Sequence, residues 1–101
     1  FNEPADSFQR WSHIVALKES TIKDNSRFFN SIEEVPTHAV TMGIGSIMQA
    51  KRILIIALGE HKAKAVKQVI DGQVTPQCPA SVLQFHKDVT LMLDKGAASL
   101  L

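Results

Sequence analysis

Six apolar residues in a row, Ile53-Leu54-Ile55-Ile56-Ala57-Leu58, constrain this chain more than any other feature. The run is too short to span a bilayer and shows no polar alternation. It predicts a strand covered on both faces, as in the middle of a parallel sheet. Gly59 breaks the strand. Beyond it Val66, Val69 and Ile70 recur at helical spacing, with Lys64, Lys67 and Asp71 turned away, which predicts an amphipathic helix closed by Gly72. Strand, glycine turn and helix over residues 52–72 make the chain α/β. They also place Lys62 in the helix's first turn, at the carboxyl edge where open α/β sheets bind ligands. A lysine there opposes the helix dipole. Two readings follow: a ligand, such as phosphate, supplies the missing anion, or Lys62 is a solvated residue on an exposed turn.

With 101 residues the chain has room for one domain, which should bury roughly two-thirds of its unfolded surface. The net charge is only +1 and the basic residues are scattered. This argues against a nucleic-acid partner. No apolar run approaches the length of a membrane helix, and the start has no apolar signal segment, so no membrane partner is expected. Cys78 is the single cysteine, so no internal disulfide can form, which favours a reducing cytoplasm. His13, His38, His61 and His86 stand more than twenty residues apart, without the short spacing of a metal site.

The remaining elements are shorter. Residues 1–12 carry Pro4, Asp6 and Ser7 without periodicity and read as a loop; His13 to Leu17 reads as a short strand. Ser20 is the expected N-cap of a helix from Thr21 to about Arg27, although no Glu follows to complete a capping box. Phe28 and Phe29 are expected to anchor that helix's end in the core. Ser31 to Pro36 reads as a turn, since Pro36 disfavours helix before it. Ala39 to Met42 is a strand or the run-up to a helix over about Gly43 to Ala50, where Ile44, Ile47 and Met48 have helical spacing. Gly43 and Gly45 do not make a dinucleotide fingerprint, because Met48 replaces the third glycine. They fit a close backbone approach, to a ligand or to a neighbouring helix. Val74 to Cys78 is a loop, and Pro79 opens a short helix to His86. Val89 to Leu93 is a second buried strand, Lys95-Gly96 a turn, and Ala97 to Leu101 the start of a helix.

Several of these stretches together resemble the glucosamine-6-phosphate deaminase (isomerase) family. Phe1-Asn2-Glu3-Pro4 is similar to the end of its catalytic segment Asp-Gly-His-Ile-x-Phe-Asn-Glu-Pro, and Asn25-Ser26-Arg27-Phe28-Phe29 resembles its lid motif. Val35-Pro36, Thr41 to Gly45, Leu58 to Lys62, Pro79 to His86 and Ala97 to Leu101 follow in the same order. The resemblance covers nearly the whole chain. It implies an α/β fold, the C-terminal part of a Rossmann-like open, mainly parallel sheet flanked by helices. The implied reaction converts glucosamine 6-phosphate and water to fructose 6-phosphate and ammonia, in amino-sugar catabolism, without cofactor or metal. The implied partner is a small-molecule sugar phosphate, with monomer and homo-oligomer both open.

By that resemblance Glu3 orients a ring-opening histidine, as a carboxylate that accepts an imidazole N–H does. Taken alone, Glu3 is a surface carboxylate in a proline-containing loop. Arg27 and Lys62 would grip the substrate phosphate, Arg as a planar fork of donors and Lys as a point charge. Taken alone, Arg27 is a solvated residue suited to a helix C-terminus. Residues 17–36 would be the lid and 52–72 the phosphate-binding unit. The family's histidine and its proton-transferring aspartate belong upstream of Phe1, and a chain truncated at its start would explain this. It would also explain why the first strong strand comes only after Arg52. None of the four histidines matches the ring-opening position. The Gln9-Arg10-Trp11 stretch also departs from the pattern of members regulated by an N-acetylated sugar phosphate. Two alternatives use similar folds: the sugar-phosphate-sensing domain of a transcription regulator, and a 6-phosphogluconolactonase-like hydrolase. The Phe-Asn-Glu-Pro segment speaks against the sensor. The Asn-Ser-Arg-Phe-Phe stretch, with Asn-Glu-Pro, speaks against the lactonase.

Overall fold

A computed structural model describes residues 1–101. Four short strands and three helices alternate along it: β1 (His13–Ala16), α1 (Glu19–Asn25), β2 (His38–Thr41), α2 (Ile44–Met48), β3 (Ile53–Ala57), α3 (Ala63–Asp71) and β4 (Val89–Leu93). The α/β class is borne out. The strands form two separate pairs, β1 with β2 antiparallel and β3 with β4 parallel. In the parallel pair Ile53 stands opposite Val89 and Ala57 opposite Leu93. The crossover between them is α3 followed by a 3₁₀ stretch, Pro79–Phe85, which opens on the expected proline.

The connection between β1 and β2 is not a tight turn. It runs through α1 and two 3₁₀ turns, Ser26–Phe28 and Ile32–Glu34, and is closed at its base where Leu17 N–H donates to the Thr37 carbonyl at 2.8 Å. A loop of that length inside an α/β unit is usually functional. Its helix holds no buried residue. Val35, just past the second turn, is buried and pins its far end.

Several expectations about burial fail, among them that of β4 as a second buried strand, which is exposed at Thr90 and Met92. β3 is covered on one face only. Ile53, Ile55 and Ala57 turn inward, while Leu54, Ile56 and Leu58 are 55, 63 and 60% exposed. Met92, opposite Ile56, is bare on the same face. The unbroken apolar run has no alternation because both faces suit cover, and within these residues only one face receives it. Phe28 and Phe29 are likewise exposed, not core anchors. The buried core is small, built from Ala63, Val66, Leu83 and Ala97, with Val35 and Ile44. The accessible surface of 7215 Å² exceeds the roughly 5,700 Å² of a folded monomer of this mass. The chain therefore buries about 55% of its extended-chain surface rather than two-thirds.

The group that approaches Gly43 and Gly45 closely is Arg10 of the N-terminal loop, not a neighbouring helix. A Cβ on Gly43 would lie 2.2 Å from the Arg10 carbonyl oxygen. The first α2 N–H groups, of Ile44 and Gly45, donate to the Gln9 and Arg10 carbonyls at 2.7 and 3.0 Å. Only glycine permits that approach, which satisfies donors that a helix start leaves orphaned.

Candidate functional site

Three ties hold the first five residues of the irregular N-terminal segment. Asn2 Nδ2 donates to the Met42 carbonyl at 2.9 Å, at the end of β2, and Ala5 N–H donates to the Pro76 carbonyl at 3.0 Å. The third belongs to Glu3. Lys18 N–H donates to Glu3 Oε2 at 2.7 Å, and the Thr21 hydroxyl reaches both carboxylate oxygens, at 3.1 and 3.3 Å. Lys18 is the N-cap of α1 and has no side-chain cap of its own. Glu3 therefore caps a helix fifteen residues away, and its charge suits the helix's positive end. The helix starts two residues before the expected Ser20 cap for this reason: the carboxylate arrives through the fold. A carboxylate offers about four acceptor sites, so Glu3 keeps capacity for another donor. Asn2 Oδ1 beside it is buried and has no partner.

The Glu3 tie gives α1 a definite weakness. Glu3→Ala removes the cap and should cost about 1 kcal/mol of local helix stability. With no buried residue in α1, amides of residues 17–36 should exchange faster than those of β3 even with Glu3 present. Hydrogen exchange followed by mass spectrometry checks both; equal protection in the two segments would refute the second.

Arg27 sits in the 3₁₀ turn that follows α1. Its guanidinium carbon lies 4.6 Å from the Phe28 ring centroid, a cation–π contact, and no carboxylate pairs with it. Lys62 is the N-cap residue of α3 and closes a 3₁₀ turn, Glu60–Lys62. It is exposed and its ammonium makes neither ion pair nor hydrogen bond. Gly59, which starts that turn, has φ 93°, the one left-handed residue of the chain. Glu3 is thus brought to the foot of the loop that carries Arg27. Neither Arg27 nor Lys62 lines the hollow of about 200 Å³ beside Glu3 or the one of about 410 Å³ beside Glu60 and His61.

Asp94 was not singled out from the sequence. Both its oxygens accept the Gly59 N–H at 3.0 Å, and Oδ1 accepts the Ala97 N–H at 2.7 Å. The signal was an aspartate just after a strand and three residues before a turn's free N–H, the position of a cap. These backbone donors, Ala97 first and Gly59 next, hold its carboxyl below the usual range. A lowered folded value means the stabilisation is present above the unfolded pKa, about 4, and is lost as pH falls through the folded one. Thermal melts from neutral to acid pH should show that loss, and Asp94→Asn should flatten it. The comparison separates Asp94 from Glu60, His61 and Lys95 on the same turns. An unchanged acid limb in Asp94→Asn would refute it. Cys78 behaves oppositely: burial pushes its thiol up, outweighing a backbone hydrogen bond at Ser81, so it is a poor nucleophile.

The sequence profile described as "Glucosamine-6-phosphate isomerases/6-phosphogluconolactonase" matches residues 13–92. The chain belongs to this family. It is 58% identical over 101 residues to a glucosamine-6-phosphate deaminase of Clostridium botulinum, covering 100% of this chain and 41% of the relative. Against the enzyme of that name from Lactobacillus delbrueckii subsp. bulgaricus the identity is also 58%, covering 43% of that relative. A solved structure described as a monomeric glucosamine-6-phosphate deaminase of the NagB superfamily superposes with a TM-score of 0.91 at 46% identity, over 100% of this chain and 42% of that one. The chain thus spans about two-fifths of the length of the family members it matches. None of its helices is long and apolar enough to cross a membrane.

Proposed function

We propose that this family member is the lid-bearing and phosphate-gripping part of a glucosamine-6-phosphate deaminase, working in the cytoplasm on glucosamine 6-phosphate. The reaction hydrolyses the amino group as ammonia and isomerises the sugar to fructose 6-phosphate, with no cofactor. The observation that carries the reading is the Glu3 bridge. A carboxylate from the Phe1-Asn2-Glu3-Pro4 segment is fixed to Lys18 and Thr21 at the foot of the 17–36 lid. Substrate closure and catalytic acid–base chemistry would then share one residue. Glu3 has lone pairs left to accept an imidazole N–H, which fixes the tautomer of a ring-opening histidine and stabilises its charged form.

In this reading Arg27 and Lys62 take the phosphate from two sides. Neither is paired with a carboxylate, and closing the lid would bring Arg27 towards the Gly59–Lys62 turn of the 52–72 unit. The two strand pairs would belong to one Rossmann-like sheet completed by residues outside this chain, with helices packed over Leu54, Ile56 and Met92. The lactonase named in the family description is the competitor. A chain extended to the relatives' full length separates them: it should release ammonia from glucosamine 6-phosphate and leave 6-phosphogluconolactone untouched. Lactone hydrolysis without ammonia release would overturn the reading.

A further inference from the structure

The turn that carries Lys62 is held from outside by one side chain. Gly59 N–H donates to both Asp94 oxygens at 3.0 Å, and the Gly59 carbonyl accepts the Lys62 N–H at 3.1 Å. A single residue, at φ 93°, thus links the Asp94 carboxylate to the Lys62 backbone. Asp94 is fixed in turn, because Oδ1 also accepts the Ala97 N–H and Ala97 is wholly buried. The two turns touch as backbone: a Cβ on Gly96 would lie 2.9 Å from the Glu60 nitrogen and 3.2 Å from the Gly59 carbonyl carbon. Asp94 follows β4 directly and Gly59 lies two residues beyond β3, so the bond ties together the carboxyl ends of the parallel pair.

We infer that Asp94 is a positioning residue for anion binding by Lys62, setting the Gly59 turn so that the ammonium is presented to a phosphate group before ligand arrives. The inference rests on the phosphate reading of Lys62 and adds to it the group that pre-organises the turn. Without the carboxylate, the Gly59 N–H loses its partner and the left-handed glycine is free to sample other conformations. Lys62 then has to be ordered by the ligand itself, and that ordering is subtracted from affinity.

A double-mutant cycle in a chain extended to the relatives' full length tests this. Dissociation constants for inorganic phosphate and for glucosamine 6-phosphate are measured by calorimetry, alongside KM and kcat. Asp94→Ala should weaken both ligands about tenfold, raise KM and leave kcat nearly unchanged. In a Lys62→Ala background the same substitution should change affinity less than about twofold. Asp94→Asn keeps one acceptor oxygen, should recover part of the loss, and is the variant read if Asp94→Ala does not fold. Equal losses in both backgrounds, or no loss from Asp94→Ala, overturn the inference and leave the phosphate reading standing. A Lys62→Ala protein with unchanged phosphate affinity overturns both.

Discussion

The 101-residue chain by itself is expected to release no ammonia from glucosamine 6-phosphate. In the proposed reaction a histidine opens the ring and an aspartate moves a proton between C2 and C1, and neither has a counterpart at a matching position here. Three of the four histidines are engaged in other hydrogen bonds, and His61 lines a different hollow from Glu3. His86 Nε2 lies 2.6 Å from the Ala50 carbonyl, while its Nδ1 accepts the Asp88 N–H at 3.0 Å. His38 Nδ1 faces the Thr37 hydroxyl at 2.9 Å. His13 alone shares a hollow with Glu3, and its Nδ1 is held by the Trp11 carbonyl at 2.8 Å. Each missing acid–base group is worth about 10²–10⁴-fold in rate. A coupled ammonia assay on the purified chain decides the matter. Turnover comparable with that of the Clostridium botulinum relative would mean that His13, or another residue of this chain, does the chemistry.

How much of this was legible in the sequence depends on whether the cause was local. The β3 strand, the Gly59 break and α3 are set by residues adjacent in the chain, and they fall close to where the apolar run and helical spacing put them. β4 spans the expected Val89–Leu93. The start of α1 does not follow local pattern, because its cap is Glu3, brought in from fifteen residues away. Ser20 had the right chemistry for a cap and lost to a carboxylate that no window around it contains. Asp94 was missed for a related reason. Its Ala97 partner is local, but its role depends on Gly59, which lies thirty-five residues earlier in the chain. Phe28 is exposed against expectation, since nothing local to it separates an aromatic ring in the core from one on the surface. In the fold its ring lies beneath a guanidinium, a use of the aromatic face that hydrophobicity alone does not reveal. The two-sided cover inferred for β3 fails on Leu54 and Ile56, whose faces nothing in these residues meets. Lys62 stands out by its place at the carboxyl edge of β3 and against the helix dipole, but the choice there between solvent and phosphate, and the whole reading of Arg27, rest on resemblance.

Lys62→Ala, in a chain extended to the relatives' full length, is expected to weaken sugar-phosphate binding by roughly 10- to 150-fold. The range is that of one charge-assisted hydrogen bond, about 1.5–3 kcal/mol. Stability should hardly change. The Lys62 side chain is exposed, makes no ion pair and no hydrogen bond, and lies outside the core. Such substitutions fall within about 0.5 kcal/mol. Its place at the N-terminal end of α3 even sets its charge against the dipole, so removal should favour the helix slightly. An anion at that turn would reverse the sign of the electrostatic term. Titration with glucosamine 6-phosphate and with inorganic phosphate, beside a thermal melt, reads both halves of the expectation. Lost affinity at constant stability fits a phosphate ligand. Constant affinity with lost stability would make Lys62 structural, and the Gly59 turn would then have no part in binding.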